Sequence, residues 1–432
     1  MLKKIKYSDV TYEKSLNKYI KKSELYLKQK SELVSKILDD ISRYGNKALI
    51  KYIDKFENIK VTEEKKLSVS LRDIKKASTY CSKDFLKASN LSIERVSQYQ
   101  RKLLPKSFKY KDKIGMKLGC IWSPIDSCAL YVPGGKAFYP SSVIMNAVPA
   151  KLAGVNRIVI TTPSISGKIR PEILAIADML GIKEVYKFGG AQAIGAMTFG
   201  TETIRRVDKI VGPGNAYVAE AKKQVFGNVG IDSIAGPSEI MIVADKNSNP
   251  EWIAIDLLSQ AEHDEEASPI LVTDSEKIIN AVNFHIKKFL QILSREKIAK
   301  ASLKTNGLAI FIKSIESSYK IINKLAPEHL EIMVKNNTNL VKKIKNTGAM
   351  FIGNYSPESL GDYVAGPSHV LPTTGNARFE SGLSVLDFLK RTSYIEATKK
   401  SLAKVVNSIE TLANSEGLDA HAKSAVIRFR KV

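Results

Sequence analysis

The chain has 432 residues, 44% of them hydrophobic, with 67 Lys and Arg against 44 Asp and Glu for a formal net charge of +23. That length supports two or three domains with sizeable cores, and the apolar content is ordinary for a globular protein. No stretch approaches the roughly 18 apolar residues of a membrane span, and the opening MLKKIKYSDV lacks an apolar core and a cleavage site, so no membrane contact and no secretory leader are expected.

Cys81, Cys120 and Cys128 are scattered and odd in number, which excludes a disulfide framework or a cysteine zinc site and predicts a reduced, cytoplasmic protein. The positive charge raises nucleic acid as a partner. Only 13 of the basic residues are Arg, however, against 54 Lys spread along the whole chain. Arg does most bidentate base and phosphate reading, so no specific nucleic-acid partner is expected. The lysines read as solvated surface, the alternative being a non-specific polyanion affinity that salt would abolish.

In chain order, residues 12–60 read as helical, with Tyr19, Ile20, Leu25, Leu33, Ile37, Leu38 and Ile41 as apolar positions, and 72–104 as helical too. From Lys117 the pattern changes. Strands are expected at 119–122, 129–132, 157–162, 184–188 and 209–211, alternating with helices at 140–152, 171–180, 191–199 and 216–226. Glycine turns at 134–135, 189–190 and 212–214 lie between them. Strands alternating with helices of about ten residues predict a parallel sheet with crossover connections, with ligands at the strands' carboxyl ends. The strict GxGxxG fingerprint is missing, so each turn alone reads as a tight turn or as a ligand contact.

Residues 231–266 organise the rest. Ala235-Gly236-Pro237-Ser238 turns into a buried strand, 240–244, and Asn249-Pro250 opens a helix with Ile253, Leu257, Leu258 and Ala261 inward. A second α/β unit follows: strand 270–273, helix 275–294, strand 307–312, helix 315–325, helix 338–345 and strand 349–353. From about Ser384 no further strand is expected, only helices at 396–414 and 418–427. The fold class is therefore α/β: two parallel-sheet, incomplete Rossmann-like domains with helical N-terminal and C-terminal extensions. The expected division is 1–30 as a helical extension, 31–130 with 238–383 as one α/β domain, 131–237 as the other, and 384–432 as a tail.

Five histidines are few enough to be informative. His285 sits mid-helix among Phe284, Ile286 and Lys287 and reads as structural. Gln260 and His263 are three apart and project from one side of a helix, which is half of a metal site. Asp362 in a Gly-flanked turn, and His421 after the helix-breaking Gly417, are candidates for the other half. Such mixed nitrogen and oxygen ligation suits zinc with an open position for substrate. Singly, each reads as well as a structural residue, and no HExxH motif is present. Glu328 and His329 follow Pro327 at an expected helix start. They read either as a dipole-favoured carboxylate with a His partner or as an acid–base pair flanking one substrate.

Assembled, the segments YVPGGKAFYPSSVIMNAVPAKLAGV, GGAQAIGA, VGPGNAYV, IDSIAGPSE, LSQAEHD, APEHLE, PESLGDYVAGPSHVLPT and EGLDAHAKSAV, running in order from Tyr131 to Val426, closely resemble the histidinol dehydrogenase family. The resemblance implies oxidation of L-histidinol through L-histidinal to L-histidine, reducing two NAD+ at one site with one Zn2+ per subunit. It implies Gln260, His263, Asp362 and His421 as zinc ligands and Glu328 and His329 as the acid–base pair. Substrate would be touched by Ser238, His369 and Glu416 together with His329 and the four zinc ligands, and NAD+ by Tyr131, Gln192 and Asn215. It further implies a homodimer whose C-terminal tail reaches the partner's site, which accounts for a helical tail that bears a ligand yet lacks a core. Competing readings are a dehydrogenase of the same scaffold acting on another amino alcohol, and a polyanion-binding protein with a retired site.

Overall fold

The computed structural model describes residues 1–7, 30–134 and 138–430. In chain order its strands are β1 (Lys3–Lys6), β2 (Phe108–Lys111), β3 (Lys117–Pro124), β4 (Ser127–Tyr131), β5 (Arg157–Thr161), β6 (Glu184–Tyr186), β7 (Lys209–Val211), β8 (Gly230–Ile231), β9 (Glu239–Ala244), β10 (Ser268–Thr273), β11 (Leu308–Phe311), β12 (His329–Met333), β13 (Ala349–Ile352) and β14 (Leu389–Glu396). They form a six-stranded sheet in the order β1-β11-β10-β9-β12-β13, a five-stranded sheet in the order β6-β5-β4-β7-β8, and a three-stranded sheet β14-β3-β2. The first two are parallel throughout and the third is antiparallel.

Both parallel sheets are covered on two faces, which is why their strands read as near-continuous apolar runs. Every residue of β9, β10 and β12 is buried. Side chains alternate across the sheet. Ile240, Ile242 and Ala244 pack with Ile253, Leu257 and Leu258 of the helix Pro250–Ala261. Met241 and Val243 pack on the other side with Ile322, Leu325 and Leu340. In the five-stranded sheet, Cys128, Leu130 and Ile160 meet the helices Pro140–Ala153 and Pro171–Met179, while Ala129, Val159 and Ile210 face the helices Ser31–Glu57 and Gly190–Phe199. Among the described residues no helix is long and apolar enough to cross a membrane, and Cys81, Cys120 and Cys128 are free thiols.

The helix Ser31–Glu57 is broken at Gly45, where φ is +48°. A Cβ there would lie 2.3 Å from the Glu202 carboxylate, which accepts the neighbouring Asn46 N–H at 2.7 Å. Only glycine meets both demands cheaply. The break lets one face carry Ile37, Leu38 and Ile41 and the continuation carry Leu49 and Ile53, all buried in the same cluster.

The structure corrects several expectations. Lys3–Lys6 is a strand paired with β11, not part of a helical extension; Tyr19, Ile20 and Leu25 lie outside the described residues. The helices Ser31–Glu57 and Lys83–Leu103 pack against helices that cover the five-stranded sheet, the first on Gly190–Phe199 in the cluster holding Ile37 and Leu49, the second on Pro140–Ala153 in the cluster holding Val96, and the second also bonds through Ser92 to the Tyr363 carbonyl. Their amphipathic stripes announced burial but not against which sheet. The expected strand at 119–122 belongs to the antiparallel sheet. Strands do not stop at Ser384, because Leu389–Glu396 pairs along its length with β3. Its exposed run LKRTSYIE lacks the apolar alternation that marks a half-buried strand. The expected helix 396–414 is two, Lys399–Ala403 and Val406–Ser415, and a helix at Glu296–Thr305 was not expected.

Candidate active site

A cavity of about 860 Å³ opens between the two parallel sheets. On one side it meets the carboxyl end of β4 at Tyr131 and the glycine turns at 190 and 213–214, as the parallel-sheet rule predicts. On the other side it meets the amino ends of β9 and β12, where Ser238 precedes one strand, Glu328 precedes the other and His329 begins it. The chemistry-bearing residues of the six-stranded sheet thus sit at the end opposite to the one the rule favours.

Glu328 and His329 are not at a helix start. The helix Ser318–Leu325 ends at Ala326 in a left-handed conformation, φ +49°, and Pro327 follows as it often does after a helix end. Proline was read as a helix opener when it marks a helix exit into β12. The strand pairing holds the pair rigidly, with His329 opposite Ile240. Both backbone groups of Glu239 then orient the pair: its N–H donates to Glu328 Oε2 at 2.9 Å, and its carbonyl lies 3.0 Å from His329 Nδ1. A carbonyl only accepts, so Nδ1 carries the proton and Nε2 presents a lone pair. Nε2 is buried, has no hydrogen-bond partner and faces Asp362 Oδ1 at 3.8 Å. Burial lowers the His329 pKa and keeps the ring neutral, against the pull of Asp362. Burial also pushes the Glu328 carboxyl well above its usual range.

Gln260 lies in the last turn of the helix Pro250–Ala261, with its amide nitrogen 3.2 Å from His329 Nδ1. His263 lies beyond the helix end, in the following turn, rather than on the same helix face. Its N–H donates to the Gln260 carbonyl at 3.1 Å, its own carbonyl accepts from Arg295 at 3.2 Å, and its ring stacks on Tyr139 at 6.4 Å. Burial lowers its pKa. Asp362, expected in a turn, belongs to the short helix Glu358–Tyr363. One turn earlier on the same face is Glu358, which sequence reasoning missed. The i, i+4 spacing of the two carboxylates was the available signal. Burial, then Asp362, raises the Glu358 pKa well above normal. His369 donates through Nδ1 to the Asp362 carbonyl at 3.1 Å and faces Ser142 Oγ through Nε2 at 3.2 Å.

On the glycine-turn side, the Tyr131 hydroxyl accepts the Gly190 N–H at 3.0 Å. Gln192 donates to Glu57 at 3.1 Å, and Glu57 also accepts the Gly189 N–H at 3.1 Å. Glu57 is a second residue the sequence did not disclose. Asn215 lines the cavity and caps the helix Ala216–Val225, accepting from Tyr217 and Val218 N–H. Glu416 and His421 are exposed on the tail and do not line the cavity of their own chain.

The cavity wall carries seven carboxylates and, among the described residues, no Lys or Arg. The ion pairs of Glu328, Glu358 and Asp362 among those residues are all with His329. Buried carboxylates without a cation are costly, so the donor set fits a divalent metal. Within the chain, His329, Glu358 and Asp362 bring ligand atoms within 4.8 Å of one another. The expected set shares Asp362 with this group, Gln260 and His263 line the same cavity, and His421 stands apart.

Two parallel sheets meet at one cleft, with glycine turns on one wall and Glu328 and His329 beside a cation-seeking carboxylate cluster on the other, the architecture of an α/β protein with its site between two sheets. A family model described as histidinol dehydrogenase matches residues 20–429. "Histidinol dehydrogenase 1" of Nostoc sp. is 49% identical over 400 residues, covering 93% of this chain and 92% of that one. The histidinol dehydrogenase of Gluconobacter oxydans is 47% identical over 401 residues, covering 93% of each. The crystal structure of histidinol dehydrogenase from Elizabethkingia anophelis superposes with a TM-score of 0.90 at 35% identity, covering 99% of this chain and 98% of that one. The chain belongs to the histidinol dehydrogenase family.

Proposed function

We propose that this protein oxidises L-histidinol through L-histidinal to L-histidine, reducing two NAD+ at a single zinc-containing site, as the last steps of histidine biosynthesis. The observation that carries the reading is His329: a neutral imidazole, its Nδ1 proton fixed on the Glu239 carbonyl, with an unpartnered Nε2 in the cavity. That nitrogen would accept the hydroxyl proton, and NAD+, when bound, would supply the hydride acceptor. The imidazolium so formed is stabilised by Asp362, 3.8 Å from Nε2. Glu328, a buried carboxylate and hence a stronger base than usual, takes a proton from water as the water adds to the aldehyde. Once His329 has passed its first proton to solvent, it would accept the hydroxyl proton of the hydrate in the second oxidation, for which a second NAD+ would be the hydride acceptor. Enclosure between the sheets keeps the aldehyde from escaping between the two steps.

Gln260, His263 and Asp362 of one chain would hold the zinc, with His421 from a partner. When bound, the metal supplies a Lewis-acidic anchor for the substrate's imidazole and amine. Ser238, His369 and Glu416 would complete the substrate contacts, and Tyr131, Gln192 and Asn215 would contact NAD+. The exposure of Glu416 and His421 away from their own cavity supports a homodimer in which the tail completes the partner's site.

The test is NADH formation from L-histidinol by purified protein, before and after chelation and zinc return. Two NADH per histidinol, lost on chelation and restored by zinc, is the expected result. One NADH would contradict the two-step reading. None from folded, zinc-loaded protein would move the assignment to another amino alcohol.

A further inference from the structure

The buried pair Lys222–Asp232 has no part in the chemistry above and does not line the cavity. Its side chains are only 2% and 4% exposed. Together they hold both polar backbone groups of one residue, Gly212. Asp232 Oδ2 accepts the Gly212 N–H at 2.7 Å, Lys222 Nζ donates to the Gly212 carbonyl at 3.0 Å, and Lys222 closes the ring by a direct bond to Asp232 Oδ1. Gly212 has φ +110°, and a Cβ there would fall 2.2 Å from the Tyr131 carbonyl oxygen. The turn is therefore pressed flat on the end of β4, and the pair clamps it from the other side.

The two clamped segments lead to opposite parts of the cavity wall. Pro213, Gly214 and Asn215 follow Gly212 and line it directly. Asp232 follows β8 and opens the loop whose residues 235–238, ending in Ser238, line it too. A buried ion pair is weak ground for stability, because desolvation offsets most of the attraction. What it supplies here is a fixed geometry with directional bonds at both ends.

We propose that Lys222 and Asp232 are positioning residues that hold the Gly212–Asn215 turn at the spacing from the Ser238 loop that dinucleotide binding requires. The proposal rests on the NAD+ reading above. Two charge-neutral variants test it by equilibrium titration of NAD+ and, separately, of L-histidinol. Lys222→Met with Asp232→Ala removes both holds on Gly212. Lys222→Met with Asp232→Asn keeps an acceptor for its N–H. The first variant is expected to bind NAD+ roughly ten- to a hundredfold more weakly, the second to fall between it and the parent, and both to bind histidinol as the parent does. The KM for NAD+ should rise in parallel while the KM for histidinol stays put, a split that a general loss of stability would not give. Unchanged NAD+ affinity in the first variant overturns the clamp. Should that variant not fold, unchanged affinity in the second, near-isosteric one does the same. Absence of NAD+ binding by the unaltered protein overturns the cofactor reading itself, and the clamp with it.

Discussion

His329 has two ring nitrogens with different partners, and the difference sets what each substitution does. His329→Ala removes the unpartnered Nε2 proposed to take the hydroxyl proton, so both oxidations should slow by about 10²- to 10⁴-fold. Glu328→Gln is subtler. Its carbonyl oxygen can still accept the Glu239 N–H, so the geometry survives while the base is lost. The expected result is a larger loss with histidinal than with histidinol as substrate, read by stopped-flow NADH formation; equal losses would contradict the division of labour. Glu331 behind the site offers a pH test. Burial, then Asp256, raises its pKa to about 9. The folded state then holds a proton between pH 4.5 and about 9 that the unfolded chain releases. Stability from this group is full below 4.5 and is lost as pH rises toward 9. Glu331→Gln, which mimics the protonated acid, should flatten that decline in urea midpoints measured across pH. At this scale the sequence was informative where a residue type is rare. Histidine gave His263, His329 and His369 at once. Glu358 and Glu57 were hidden because carboxylates are common, and their burial depends on packing no local pattern reveals.

Single elements show what pattern reading captures. Five of the six residues of β9, and the start of the helix Pro250–Ala261, were legible because a buried strand and an Asn-Pro opening each carry a local cause. β1 and β14 were not, since Lys-rich edge strands look like loops until a partner is known. The break at Gly45 is another case where neighbours decide. Gly45→Ala should destabilise the protein by about 1–3 kcal/mol through the positive φ and the displaced Glu202, measurable by urea unfolding. The broken helix also ends in Glu57, which anchors the Gly189–Gly190 turn and Gln192. The same variant should therefore weaken NAD+ binding more than histidinol binding.

For the whole molecule, the tail is the decisive feature. It places Glu416 and His421 on its own exposed surface and leaves the chain's own cavity without them. If the partner's tail completes each site, His329→Ala and His421→Ala subunits should complement one another. A mixed dimer has one intact site, so random exchange at equal amounts should restore about a quarter of the parental activity. No recovery after exchange verified by mass would count against a crossed tail. Nothing local in residues 397–432 would disclose such a crossing, because a docking surface on another chain leaves no mark on sequence periodicity.

The acidic wall has one more consequence. Histidinol enters as an amino alcohol without an acid group. On the proposed reaction the product would carry a new carboxylate in a cavity lined by Glu328, Glu358 and Asp362, where the described wall offers no Lys or Arg to receive it. Oxidation would thus make the guest depend on a bound cation for its charge balance, since no described wall residue supplies one.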